Sequence, residues 1–309
     1  MDLKSRLLDP AETVLLYGTT PPRLGTPEDQ VEAAAGKLAA RIGPLPLDGV
    51  VVYDIQDETG RTPLPRPFPF AGTVDPRRYA RRLAARTGRT TIAYKALGLL
   101  TEPEWRAWLA EARDAFKLEF LSIVGRPGSA MRYPLALSRA IRIAAEPSTG
   151  LTVGGVVIAE RHTEERSEAA RLLAKGIEGC RYFVSQTVYQ PDATIRLLRD
   201  YARDCRGAGV EPRRIVLSFA PAGREKTLAF LRWLGVSVPD ATARAILGAA
   251  RPLARSIELC RDNLRRILEQ PYAGAIPLGL NIESVSINRD EIDASIELFH
   301  VLREALKGA

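Results

Sequence analysis

Leu151-Thr152-Val153-Gly154-Gly155-Val156-Val157-Ile158 is an apolar run with no polar alternation, followed by Ala159-Glu160-Arg161-His162 and then a helical pattern over 163–175. A strand covered on both faces reads this way, because neither side needs to meet water. The next apolar run, 182–186, completes a strand–helix–strand step. Working outward, the same step repeats in both directions. Strands are expected at 13–17, 49–54, 90–94, 120–124, 151–158, 182–186, 214–219 and 277–282. Helices are expected between them at 27–42, 75–87, 102–115, 133–145, 163–175, 191–207, 223–234 and 289–307. Thr26 is placed to cap the first of these with Pro27 in its first turn, and Asp75 with Pro76 does the same for the second. Trp105, Trp108, Leu109 and Ala112 share one side of the third.

Eight strands, each followed by a helix, in 309 residues fit a (β/α)8 TIM barrel of the α/β class. A doubly wound sheet would want a glycine-rich phosphate turn early, and Tyr17-Gly18-Thr19-Thr20-Pro21-Pro22 has one glycine. No linker or low-complexity segment interrupts the chain, so residues 1–309 read as one domain. The long helical stretch 240–270 before strand eight is an insertion. Its apolar positions exceed what one exposed face needs, enough to cover the barrel or join two subunits into a homo-oligomer. The proline-rich segment Thr62-Pro63-Leu64-Pro65-Arg66-Pro67-Phe68-Pro69-Phe70 reads as a rigid loop or as a cover over the barrel mouth.

Composition excludes several classes. The chain is 46% hydrophobic and 26% charged, which supports a full core and not disorder. No uncharged apolar run is long enough to span a membrane. The start, Met1-Asp2-Leu3-Lys4-Ser5-Arg6, lacks the pattern of a secretory signal. Cys180, Cys205 and Cys260 are too far apart for a metal spacing or a disulfide framework, so a reducing, cytoplasmic setting fits. The net charge is +7, with seven lysines and 37 arginines. Pairs such as Arg77-Arg78 and Arg81-Arg82 fall in helical segments without interleaved stacking aromatics. That argues against a nucleic-acid partner and for a solvated helix face or attraction of an anionic small molecule.

Chemistry in a barrel collects where strands end. Those ends carry Gly18-Thr19-Thr20, Asp54-Ile55-Gln56-Asp57-Glu58, Tyr94-Lys95, Gly125-Arg126, Glu160-Arg161-His162, Ser185-Gln186-Thr187, Ser218-Phe219-Ala220 and Asn281-Ile282-Glu283. No pair of histidines has ligand spacing, so no metal is expected. Gln186 ends a buried strand with an amide suited to the edge of a planar heterocycle. Glu283 ends a strand that is otherwise apolar, where desolvation would raise a carboxyl toward the range of a working acid. Asp54 is second to it, ahead of Asp57, Glu58 and Glu160.

Gly154 to His162, and Lys175-Gly176-Ile177-Glu178-Gly179 running on to Val184-Ser185-Gln186, resemble two segments of the methylenetetrahydrofolate reductase family. Thr20-Pro21-Pro22 falls where that family has its early Glu-Phe-Phe-Pro-Pro. The likeness implies a barrel that binds a reduced folate at the strand ends and reduces 5,10-methylenetetrahydrofolate to 5-methyltetrahydrofolate with NAD(P)H. Gln186 then matches the glutamine on the pterin, with Asn281, Phe219 and Arg126 around the substrate. His162, Lys175 and Tyr94 match flavin-contacting positions, and Lys95 follows Tyr94. Four departures argue against FAD and against the usual acid. The family's early Glu aligns with Gly18. Its strand-four Asp aligns with Arg126. Its strand-three His aligns with Tyr94. The helix after strand five is short. Val124-Gly125-Arg126-Pro127 and Pro277-Leu278-Gly279-Leu280-Asn281-Ile282-Glu283 resemble a divergent, actinobacterial-type branch, some of whose members work without flavin. The implied acid passes to Glu283, then Asp54. The alternative is a folate- or pterin-binding protein that has lost the reductase step.

Overall fold

The computed structural model describes residues 2–56, 62–125 and 134–307. Eight strands in chain order close into a barrel: β1 (Val14–Thr19), β2 (Gly49–Val52), β3 (Thr90–Ala96), β4 (Phe120–Val124), β5 (Thr152–Val157), β6 (Tyr182–Thr187), β7 (Arg214–Phe219) and β8 (Leu278–Glu283). The pairings are parallel, with Leu16 opposite Gly49, Tyr94 opposite Ser122, Ser122 opposite Gly154 and Ser218 opposite Asn281. The fold is the expected TIM barrel.

The helices are α1 (Leu3–Leu8), α2 (Glu28–Ile42), α3 (Pro76–Thr87), α4 (Glu102–Asp114), α5 (Leu137–Ala144), α6 (Glu168–Glu178), α7 (Pro191–Ala208), α8 (Glu225–Trp233), α9 (Asp240–Leu247), α10 (Pro252–Leu268) and α11 (Arg289–Lys307). Three expectations need correcting. The cap of α2 is Pro27 and not Thr26, and no side chain closes that end. Asp75 does cap α3, accepting from the Arg77 amide at 2.8 Å. The helix after β5 starts at Glu168 rather than 163, because Ala159–Arg161 forms a 3-10 turn and Thr163 and Arg166 exchange backbone hydrogen bonds. The stretch 240–270 is two helices, broken where Gly248 caps α9 and Pro252 opens α10.

By internal packing the chain forms two compact units. The first is Met1–Arg61, Phe70–Val156 and Ala174–Phe183; the second is Thr62–Pro69, Val157–Leu173 and Val184–Ala309. In the first, Tyr182 is fully buried and its ring lies over Gly154, where a Cβ would come 2.3 Å from ring carbon. The run that opens the sequence reading therefore needs glycine, and the Ser122 hydroxyl meets the Tyr182 hydroxyl at 3.4 Å. Arg77 is a buried cation between the rings of Trp108 and Phe116, at 4.6 and 4.8 Å, tied to Asp75 and Glu111. Trp105, Leu109 and Ala112 are buried as the pattern of α4 requires.

In the second unit, α10 is fixed by polar contacts as well as by its apolar face. Ser256 is fully buried, accepts from the Ala222 amide at 2.9 Å and meets the Tyr189 hydroxyl at 3.2 Å. Tyr189 donates to the Ala220 carbonyl at 2.8 Å, and Asn263 donates to the Tyr189 carbonyl at 3.2 Å. The helical insertion thus holds the loops that follow β6 and β7. The proline-rich loop is also fastened here. Arg66 lies 4.4 Å over the Trp233 ring, Phe68 meets Phe230 edge-on at 5.4 Å, and Lys226 sits 4.6 Å over Phe68. These cation–aromatic contacts make it an anchored strap on α8.

Candidate functional site

The polar strand ends of the second unit form one connected group. Thr187 at the end of β6 donates to the Glu283 carboxylate at the end of β8, 2.7 Å away. Asn281, fully buried in β8, donates to the Ser218 hydroxyl of β7 at 3.0 Å. The Ser218 amide turns to the Ser185 hydroxyl at 2.8 Å, which itself donates to the Gln186 carbonyl at 2.8 Å. The Ser185 hydroxyl thus bridges the Ser218 amide and the Gln186 carbonyl. The Gln186 amide then reaches the Leu234 carbonyl beyond α8, at 2.5 Å, while its own oxygen is buried with no hydrogen-bond partner.

Glu160 lines a small cavity with Ser185, Gln186 and Thr187. Its carboxylate accepts from the Ser237 amide at 3.2 Å. Burial pushes the Glu160 carboxyl above its ordinary pKa, against the opposing pull of that hydrogen bond. Ser237 also donates to Gln190. The connection between α8 and α9 is therefore held by the 3-10 turn at Glu160, by Gln186 of β6 and by Gln190 just before α7.

The expected site residues fall into three groups. Gln186, Asn281 and Glu283 lie in the connected polar group just described. Phe219 ends β7 but is fully buried. Asp54 and Lys95 meet in the first unit: Asp54 accepts from the Ala96 amide at 2.9 Å and from Lys95 at 3.5 Å. The other three serve local structure. His162 is bound to Asp200 of α7 at 2.9 Å, and the Arg199 hydrogen bond holds Asp200 below its ordinary pKa. Lys175 is buried and donates to the Val156 carbonyl at 2.8 Å. Tyr94 is buried with its ring edge-on to Tyr53 at 4.9 Å. Arg126, Asp57 and Glu58 lie outside the described residues. Among the described residues no group of His, Cys, Asp or Glu could hold a metal ion. All three cysteines are free and buried.

Sequence reasoning ranked Glu160 low and passed over Ser237 and Asp200. Both partners sit far along the chain, on a loop and a helix whose local patterns carry no sign of the contact. Ser185 offered a signal, a hydroxyl in a buried strand beside an amide.

Gly18 explains the two departures in the first unit together. A Cβ there would lie 2.5 Å from the Tyr53 hydroxyl oxygen. The space a longer β1 side chain would use is filled by Tyr53, whose ring in turn packs on Tyr94.

No protein-family model and no curated protein sequence matches the chain. Among solved structures, it resembles an uncharacterized protein from Clostridium thermocellum that binds two copies of 5-methyl-5,6,7,8-tetrahydrofolic acid. The identity is 30%, the coverage 99% of each chain and the TM-score 0.82. A Xanthomonas albilineans dihydropteroate synthase with 4-aminobenzoic acid is 15% identical over 100% of this chain and 98% of its own, at TM-score 0.48. The N-(5'-phosphoribosyl)anthranilate isomerase of Pyrococcus furiosus is 11% identical over 96% of this chain and 100% of its own, at 0.46. Near-complete coverage at 30% identity is a relation of descent and not of fold alone, and the chain belongs to the family of the Clostridium thermocellum protein.

Proposed function

We propose that the chain binds a reduced folate at the C-terminal ends of β6 to β8 and reduces its 5,10-methylene bridge to a 5-methyl group, with NAD(P)H as hydride source. The observation that carries this reading is the 30% identity, over 99% of both chains, to a protein that binds 5-methyl-5,6,7,8-tetrahydrofolic acid. That compound is the product of such a reduction. Gln186, Asn281, Thr187 and Glu283 supply the buried polar edge that a pterin ring needs, with amide and hydroxyl groups that both donate and accept.

The reduction needs a proton on the leaving nitrogen, so that the carbon–nitrogen bond breaks and an iminium forms. Hydride then adds to the iminium carbon and gives the methyl group. Burial holds the Glu160 proton more tightly than that of an ordinary carboxyl, and the residue lines the small cavity beside Gln186. It takes the acid's role in this reading, and Glu283, engaged by Thr187, balances the cation. The residues that resemblance matches to flavin contacts do not fit a bound FAD. His162 is committed to Asp200, Lys175 to a backbone carbonyl and Tyr94 to Tyr53. No step is assigned to flavin.

A second reading, folate binding without reduction, draws on Gly18, since the family's acid position has been filled by Tyr53. Following NADH absorbance with 5,10-methylenetetrahydrofolate decides between them. Turnover is expected in the parent and a loss of about 10²–10⁴ in Glu160→Gln. Tight folate binding with no NADH oxidation would replace the first reading by the second.

A further inference from the structure

Within the first unit, α3 carries Arg77, Arg78, Arg81, Arg82 and Arg86, and the chain just beyond α4 carries Phe116. Arg78, Arg81, Arg82, Ala85 and Phe116 line an open surface groove of about 470 Å³. Ala85 and the Phe116 ring supply apolar surface, extended by the methylene stems of the arginines. Arg77 fixes the ring from one side and is itself neutralised by Asp75 and Glu111.

The rim is cationic. Glu28 is shared by Arg78 and Arg82, and Glu32 by Arg82 and Arg86, so three guanidinium groups meet two carboxylates. Arg81 donates to the Ala115 carbonyl at 2.8 Å and has no carboxylate at ion-pair distance among the described residues. A flat aryl group bearing carboxylates complements this surface. The ring finds an apolar wall and guanidinium planes, and each carboxylate finds a forked donor. A helix face that only sheds arginines into water needs no groove with an aromatic wall.

We infer that this groove takes a second molecule of reduced folate, gripped by its aminobenzoyl ring and glutamate carboxylates. The inference rests on the folate reading above and extends it to a site far in sequence from the pterin-binding strand ends.

Calorimetric titration of the full chain with 5-methyltetrahydrofolate should show two binding events per chain. Arg81→Glu, exposed and without an acidic partner to lose, should weaken one event about 10-fold or more and leave the other. Gln186→Ala should do the reverse. Arg81→Gln, which removes the charge without reversing it, should weaken the same event by less. p-Aminobenzoylglutamate, which lacks the pterin, should bind the parent and Gln186→Ala alike and fail with Arg81→Glu. Circular dichroism confirms that each variant is folded. A single event removed by Gln186→Ala overturns the groove and leaves the proposed function standing. Two events untouched by Arg81→Glu also overturn it. No event at all removes the folate reading, and this inference with it.

Discussion

Glu160 is a carboxyl taken out of water, with its own backbone amide and that of Ser237 only partly compensating it, and that imbalance has a sign. Its pKa is raised by burial from an ordinary value near 4.5. A raised carboxyl favours the fold while protonated. Its contribution is present at low pH and is lost as pH climbs through the raised value. Glu160→Gln keeps the shape and removes that loss. The melting temperature of the variant should therefore gain on the parent as pH rises above about 4.5. An unchanged gap across that range would mean that Glu160 is solvated. At this scale the sequence told part of the story. Gln186, Asn281 and Glu283 were legible because each is a polar group ending an apolar run, which must find a partner. Glu160 was not, because its hydrogen-bond donor Ser237 lies far along the chain, where no local pattern ties it to Glu160.

Among the elements, α10 was legible as helical and apolar, but its break from α9 was missed. Gly248 and Pro252 act together there, and each alone is tolerated near a helix end. The start of α6 was missed for a related reason. Thr163 looks like a cap, but a hydrogen-bonded turn with Arg166 takes its backbone first. What α10 does was also hidden from periodicity, because its anchor is a serine. Ser256→Ala would leave the Ala222 amide unpaired in a fully buried place. The cost should be about 1–3 kcal/mol by urea denaturation. Folate affinity should fall with it, since the loops after β6 and β7 depend on that contact. A variant as stable as the parent would show that apolar packing alone seats the helix.

For the whole molecule, the barrel was readable from end to end. Strands buried on both faces leave a strong apolar signature, and parallel strands demand the helices between them. Its division into two compact units was not, because the second unit draws the 62–69 loop away from its sequence neighbours and fastens it on α8. Cation–aromatic contacts of that kind leave no period in the sequence. The composite of His162, Lys175 and Tyr94, each committed elsewhere, predicts a protein that purifies without flavin. The visible spectrum of the pure chain should lack flavin bands. Stoichiometric FAD in a denatured extract would reverse this.

Tyr53 has a consequence for how such a chain changes over generations. Its hydroxyl occupies the volume beside Gly18, so a side chain at position 18 arrives only with a shift of that ring. A β-carbon there comes 2.5 Å from the Tyr53 hydroxyl oxygen, so the tyrosine side chain has to move aside for it. Moving Tyr53 in turn disturbs its edge-on contact with Tyr94. An acid on β1 therefore comes at the cost of rearranging the Tyr53–Tyr94 pair. A lineage that has filled this space is steered to find its proton donor on another strand.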